Sequence, residues 1–438
     1  MKVFFSILLF LNLTGTYRFA AGILGCEVSI VSSAILSGLL LWFALNFKHV
    51  RRLLNNSFFM IALFLVLLWP TVTALYAPEI SFNRIALQLY YFLLFTNTII
   101  FMSKYGYVSL SKIIFFSYWI AIAGIFLSFL KPEYFSSVAS ITRATTDYYG
   151  RAFGFMLQPN MAVTNLTVLF ILYSGFRLLR NKILQSIVIL SYVFSILLTG
   201  SRSGIVAMLI VLALLLFRFC RNHVRKKDGK IVLKRNLYFK LPIYFIITVF
   251  AISFTVTTLR YIETHNLIKS EKAGFGFRER LENFVQGKLS STSLSEDINV
   301  QARIEFQKIY ISKIVERPFW GFGIGSKEAM FKTGEILRPS HNQFLNYSLE
   351  YGILYSAVFF IFILILPIFM RKRVLIESFF QTDWILQICL LILILSLVSN
   401  TVLLYRGEWV ALGAIFYYLY FEKLKVVKKI CLPCTLGQ

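Results

Sequence analysis

Runs of roughly 20 apolar residues, each long enough to cross the hydrocarbon of a bilayer, follow one another along this chain with short charged joints between them. Inside hydrocarbon every backbone polar group needs a partner from the protein, and a linear apolar run meets that demand as a helix. Composition agrees: 58% of the 438 residues are hydrophobic and 17% aromatic, and the mean hydropathy is +0.72, well beyond a soluble domain with its charged surface. The expected fold class is therefore all-α and polytopic, with about 12 transmembrane helices by run length. The expected division is a first part of the membrane bundle at 1–259, an external loop at 260–340, the second part of the bundle at 341–424 and a tail at 425–438.

The net charge of +25 does not point to nucleic acid, because the basic residues sit at helix ends rather than on an aromatic-interleaved soluble face. Their positions read as topology signals, since cytoplasmic joints collect Lys and Arg. Lys48, Arg51 and Arg52, then Lys104 and Lys112, then the stretch from Arg218 to Lys240 and the lysines of the tail fall on that side. Lys2 with Val3 to Leu11 and Ala20-Ala21-Gly22 resembles a signal peptide but is read as a short retained first helix. Both termini are then cytoplasmic in a multi-pass plasma (inner) membrane protein, and Arg151, Arg202, Arg303, His341 and Arg406 face the periplasm or exterior. The five cysteines are scattered and show no disulfide framework. Cys431 and Cys434 form a CxxC without the two further ligands that zinc requires. The four histidines are far apart, and no metal site is expected.

From Val300 to Glu316 the loop reads as an amphipathic helix, with Val300, Ile304, Ile311 and Val315 at helical spacing and Pro318 ending it. It rests on the membrane or on the mouth of the bundle. Arg303 lies at the edge of its apolar stripe, where a snorkelling arginine without a special role would also fit. Gly321 to Gly325 reads as a tight turn, not a dinucleotide fingerprint. Pro339 and Ser340 mark a helix start with Ser340 as N-cap, which places His341 in the first turn. There the helix dipole favours the neutral, proton-accepting imidazole, although a structural histidine gives the same pattern. Leu345, Ser348 and Gly352 share the His341 side, and Glu350 faces away. Thr199 to Gly204 is no nucleophile elbow, since Arg202 stands where the serine belongs. A charge where two spans meet is costly without an anionic partner. Arg151, followed by Gln158-Pro159-Asn160, is comparable. Several arginines with few acids nearby suit a phosphate or diphosphate.

These residues resemble the bacterial O-antigen ligase and O-antigen polymerase superfamily of membrane glycosyltransferases. The resemblance runs most strongly from Arg151 to Gly352: Arg151 with Gly154, Pro159 and Asn160; Thr199-Gly200-Ser201-Arg202; Arg303, Arg317-Pro318 and Gly321-Phe322-Gly323; and His341, Asn342, Leu345 and Gly352 in the ligases' histidine motif. Gln307 departs from the leucine that often stands four residues after the ligases' loop arginine, and polymerases share the remaining elements, so both activities stay open. The resemblance implies a GT-C-like helical fold and transfer of a glycan from undecaprenyl diphosphate to a sugar hydroxyl, without nucleotide sugar, divalent metal or cofactor. The acceptor would be lipid A core or a growing lipid-linked glycan. In that chemistry His341 is the general base, and Arg151, Arg202, Arg303 and Arg406 hold the diphosphate. Asn160, Asn342 and Gly352 support them, and attack opposite the leaving group inverts the anomeric centre. A transporter or flippase of lipid-linked oligosaccharide is the second reading.

Overall fold

The computed structural model describes residues 1–78, 81–141, 152–176, 182–227, 230–233, 298–336, 340, 342–370, 383–398 and 406–420. Sixteen helices lie within them. In chain order they are α1 (Lys2–Thr14), α2 (Thr16–Ile23), α3 (Val28–Leu45), α4 (Phe47–Leu54), α5 (Ser57–Tyr76), α6 (Phe82–Leu130), α7 (Pro132–Ile141) and α8 (Pro159–Gly175). Then follow α9 (Lys182–Thr199), α10 (Arg202–His223), α11 (Ile298–Glu316), α12 (Ser326–Thr333), α13 (Gln343–Tyr351), α14 (Ile353–Met370), α15 (Asp383–Val398) and α16 (Arg406–Tyr420).

The protein is a multi-pass membrane protein. Among the described residues α3, α5, α6 and α14 are long and apolar enough to cross a membrane, and α1 with α2, bent by 86° at Gly15, would make a fifth span. The 49 residues of α6 are broken at Gly106, where φ is 73° and ψ 171°. The 24 residues on either side of the break, about 36 Å each at the helical rise, are each long enough to cross a bilayer. Shorter apolar helices occupy Ile183–Thr199, Ser203–Leu215 and Trp384–Leu397. The expected span at 241–259 lies outside the described residues.

One element departs from the all-α expectation. Strands β1 (Val224–Lys227) and β2 (Lys230–Leu233) pair antiparallel directly after α10. The sequence between them is Asp228-Gly229, a dipeptide that suits a two-residue hairpin turn, but its setting in a run of basic residues hid that signal.

The core forms around three helices that are buried on every side: α6 from Tyr90 to Met102, α8 from Met161 to Tyr173, and α16 from Gly407 to Tyr417. Helices apolar all round belong in an interior, and small residues let such helices close on one another. A Cβ at Gly413 would sit 2.6 Å from the Phe95 carbonyl oxygen of α6, and one at Gly204 would sit 2.6 Å from Val163 of α8. Two lipid-length helices carry a π-helical turn before a proline: Phe64–Leu68 ahead of Pro70, and Ile361–Ile365 ahead of Pro367. Proline cannot close the ladder, and a widened turn accommodates it. The Leu65 carbonyl of the first π turn accepts a hydrogen bond from the Tyr355 hydroxyl of α14.

The bundle has two chemically distinct ends. At one, Lys104 Nζ donates to Asn46 Oδ1 at 3.3 Å and lies over the Trp42 ring, and Lys2 lies over Tyr105. At the other end are Asn12 of α1, Ser32 of α3 and Tyr90 of α6, all gathered on Arg406. Helices α1, α3 and the first half of α6 run between these ends.

Gly352 separates α13 from α14 at φ 91°, and a Cβ there would fall 2.0 Å from the Phe319 carbonyl oxygen. Beside it Ile353 N donates to Pro318 O at 2.7 Å, so the turn after α11 is laid against the helix break. Gly352→Ala therefore meets both a left-handed backbone and a backbone clash. It is expected to lower stability by about 2 kcal/mol or more, read as the thermal midpoint of the detergent-solubilised protein. Gly25→Ala, at φ 65° with nothing within 4 Å, should cost less.

Candidate active site

Helices α8, α10 and α16 begin close together. The chain enters α8 through a strained approach: Phe153 N and Gly154 N both donate to Ser128 Oγ, at 3.1 and 2.9 Å, and Leu157 adopts φ 56°. Ala152, which follows Arg151, donates its backbone N–H to Leu198 O at 3.1 Å. This ties the start of the motif to the end of α9. Gly200 then turns the chain at φ 56°, and Ser201 caps α10 by accepting from Gly204 N at 3.3 Å. The Ser201 hydroxyl donates to Asn160 Oδ1 at 2.6 Å. Two segments 41 residues apart in sequence thus meet through one hydrogen bond, with Arg202 the first residue of α10.

Arg406 opens α16, where the positive end of the helix dipole opposes a cation. Its surroundings compensate. The guanidinium carbon lies 4.2 Å from the centre of the Tyr17 ring and 4.0 Å from that of Tyr90, distances at which an aromatic face attracts a cation. Nη1 donates to Asn12 Oδ1 at 3.2 Å and Nη2 to Ser32 Oγ at 3.0 Å. Asn12 Oδ1 also accepts from the Tyr90 hydroxyl at 2.6 Å. All four partners are neutral, and among the described residues Arg406 makes no ion pair. Among the described residues its positive charge is thus held in place without a carboxylate partner. A small cavity beside it is lined by Tyr17, Arg18, Met156, Met161 and Asn165. Arg18 Nη1 points at Met161 Sδ, 3.4 Å away. Asn165 donates to Leu13 O, and a Cβ at Gly407 would lie 2.2 Å from Asn165 Oδ1, so Gly407 lets α16 start against α8.

The third part of the site is the start of α13. The helix begins at Gln343, with Asn342 as N-cap accepting from Leu345 N at 3.1 Å. This corrects the expected cap at Ser340. Ser340 is fully buried and serves the cap from outside: its hydroxyl accepts from Asn342 N at 3.2 Å and donates to Asn342 O at 3.0 Å. Both Ser and Asn suit a cap, and sequence spacing does not rank them. Gln307 Nε2 of α11 reaches Ser340 O at 3.4 Å, and helical register puts position 303 one turn before Gln307.

The glycine turn after α11 is pinned to the far end of α13. Phe322 N and Gly323 N donate to the carbonyls of Leu349 and Glu350, both at 2.8 Å, and Gly325 N reaches Glu350 Oε1 at 3.3 Å. Glu350 thus secures the turn. Lys327 is buried nearby, and Arg84 at the start of α6 pairs with Glu328. Burial, aided by Arg84 and opposed by Glu350, pulls the Lys327 ammonium down to about 8 from 10.5.

The first turns of α6 join these parts. Arg84 holds α12, Gln88 Nε2 reaches the Tyr351 hydroxyl of α13 at 3.3 Å, Tyr90 covers Arg406, and Tyr91 stacks on Trp409 with centroids 5.3 Å apart. Asn160, Arg406, Asn342 and Gly352 accordingly lie on elements packed around one end of the bundle. Of Arg202 and Arg303 only the backbone is described, and Arg151 and His341 lie outside the described residues. Sequence reasoning missed Asn12, Tyr17, Ser32 and Tyr90. An asparagine inside the apolar run of α1 was the available signal, because a polar group in hydrocarbon needs a partner.

The fold is that of a multi-pass membrane protein, with Arg406 held among neutral partners near the starts of α8 and α16. Residues 186–360 match the sequence profile of the family described as O-Antigen ligase. No curated protein and no solved structure matches the chain.

Two outcomes are expected here. Asn160→Ala and Ser201→Ala should not add: a double-mutant cycle on thermal stability should return a coupling of about 1 kcal/mol. The pH dependence of Lys327 has a defined sign. Its folded-state pKa lies below that of the unfolded chain, so burying it costs stability in full below about pH 8, and the cost fades as pH rises to 10.5. Relative to Lys327→Met, the wild-type protein should gain on the order of 2 to 3 kcal/mol between those limits, measured by denaturation across the pH range.

Proposed function

We propose that this protein transfers an undecaprenyl-diphosphate-linked glycan to a saccharide hydroxyl at the external face of the plasma (inner) membrane, as a polymerase or ligase of O-antigen or another surface polysaccharide. The observation that carries this reading is the Arg406 cage of neutral partners beside the starts of α8 and α10. A guanidinium that keeps its charge, next to the positive ends of three helix dipoles, is what a departing diphosphate needs. The full fold is GT-C-like with about 12 spans, the loop at 260–340 is external, and the basic end with Lys48, Arg52 and Lys104 faces the cytoplasm with both termini.

In the reaction the acceptor hydroxyl oxygen attacks the anomeric carbon opposite the diphosphate and gives its proton to His341. The bond from anomeric carbon to diphosphate oxygen breaks, and the electron pair leaves with undecaprenyl diphosphate. Arg151, Arg202, Arg303 and Arg406 offset the charge that develops there, so no divalent metal is required. Inversion follows from attack on the opposite face. The acceptor is lipid A core or a growing lipid-linked glycan.

Turnover of lipid-linked glycan by the purified protein tests this. Arg406→Lys keeps the charge but loses the planar fork and its ring contacts, and should cut turnover by about a hundredfold. His341→Ala should cut it by about a thousandfold, while chelator leaves the wild-type rate unchanged. Normal turnover in His341→Ala would end the proposed base, and movement of lipid-linked glycan across vesicles without transfer would favour the flippase reading.

A further inference from the structure

Helix α11 has three faces rather than two. Tyr310 and Ile314 are buried, at 0% and 6% exposure, and pack with Leu349 of α13. Ile304, Ile311 and Val315, spaced by seven and four, are 50%, 50% and 70% exposed. Glu305, Ser312 and Glu316 repeat the same spacing one residue on and are also exposed. The apolar stripe expected from the sequence therefore does not rest on the mouth of the bundle. It faces outward beside a polar stripe about 100° around the helix.

This outward stripe runs on into Phe319 and Trp320, 66% and 61% exposed. Trp320 is fixed to the end of a candidate membrane span: its ring stacks on Trp69 of α5 with centroids 5.4 Å apart, and Tyr76 donates to its carbonyl oxygen at 2.9 Å. The flank of α5 that leads there is itself apolar and open, with Leu68 at 45%, Val72 at 48% and Leu75 at 84% exposure. One continuous apolar surface thus passes from a lipid-length helix onto α11. Trp and Tyr at the end of a span belong to the headgroup region.

We propose that α11 lies in the membrane interface, with Ile304, Ile311, Val315, Phe319 and Trp320 seated among lipid headgroups and upper acyl chains and with Glu305, Ser312 and Glu316 in water. Exposed Lys308 and Arg317 are placed to reach lipid phosphates. Since α11 also holds Ser340 through Gln307, the bilayer surface sets the height of the start of α13.

Single nitroxide labels test the placement in the full-length protein with its five cysteines replaced by serine, reconstituted in phosphatidylethanolamine and phosphatidylglycerol vesicles. Labels at Ile311 and Val315 should collide with oxygen several-fold more than with a water-soluble nickel complex, and labels at Ser312 and Glu316 should show the reverse. Equal, water-like accessibility at all four positions would overturn the proposal. So would exclusion of both reagents at Ile311 and Val315 with spin–spin broadening, which would assign the face to a second copy of the chain. In protein with native cysteines, quenching by brominated phospholipid should fall in Trp320→Phe relative to wild type, and unchanged quenching would equally overturn it.

Discussion

A guanidinium drawn into a helix bundle must either meet a carboxylate or be surrounded by neutral groups that tolerate it, and Arg406 takes the second course. Two tyrosine rings, an asparagine and a serine from four different helices surround it. Among the described residues nothing offsets its positive charge, which sits in a partly desolvated place where interaction with an anion is stronger than in water. With the 86° bend at Gly15, Asn12 before it and Tyr17 after it both contact Arg406 at the start of α16.

The same end of the bundle is assembled by hydrogen bonds between distant segments rather than by local motifs. Ser201 joins the starts of α8 and α10, Tyr90 joins α1 to α6, and the peptide N–H groups of Phe322 and Gly323 join the glycine turn to α13. Each bond replaces water that a membrane-embedded group would otherwise lack. The result is a hydrogen-bonded frame around the start of α8, the start of α10 and the glycine turn. Glu350, buried at the edge of this frame, ties the glycine turn to α13, and the burial of Lys327 nearby costs stability.

Much of this was legible in the sequence because hydrocarbon imposes simple rules. Apolar run length gave the spans at α3, α5, α6 and α14, whereas Gly352, read from the sequence as sharing one helix face with His341, instead breaks the helix against the Phe319 carbonyl. Other features were hidden by ambiguity between equivalent residues. Ser340 and Asn342 both suit a cap, and only the hydrogen bond to Leu345 N separates them. On α11 the apolar stripe was correctly spaced, but spacing alone does not distinguish a face buried on protein from one facing lipid. Tyr310, with its polar hydroxyl, turned out to hold the protein-facing side. The Arg406 cage was illegible because its members come from α1, α2, α3 and α6, and no pattern within any one segment announces them.

The most direct measurement of the central claim is a structure of the protein with undecaprenyl diphosphate bound in lipid. The diphosphate is expected at the shared starts of α8, α10 and α16, within hydrogen-bond distance of at least Arg202 or Arg406 and with the His341 imidazole facing the same cavity. Diphosphate bound at the opposite, lysine-rich end near Lys104, or a cavity that His341 does not face, would contradict it.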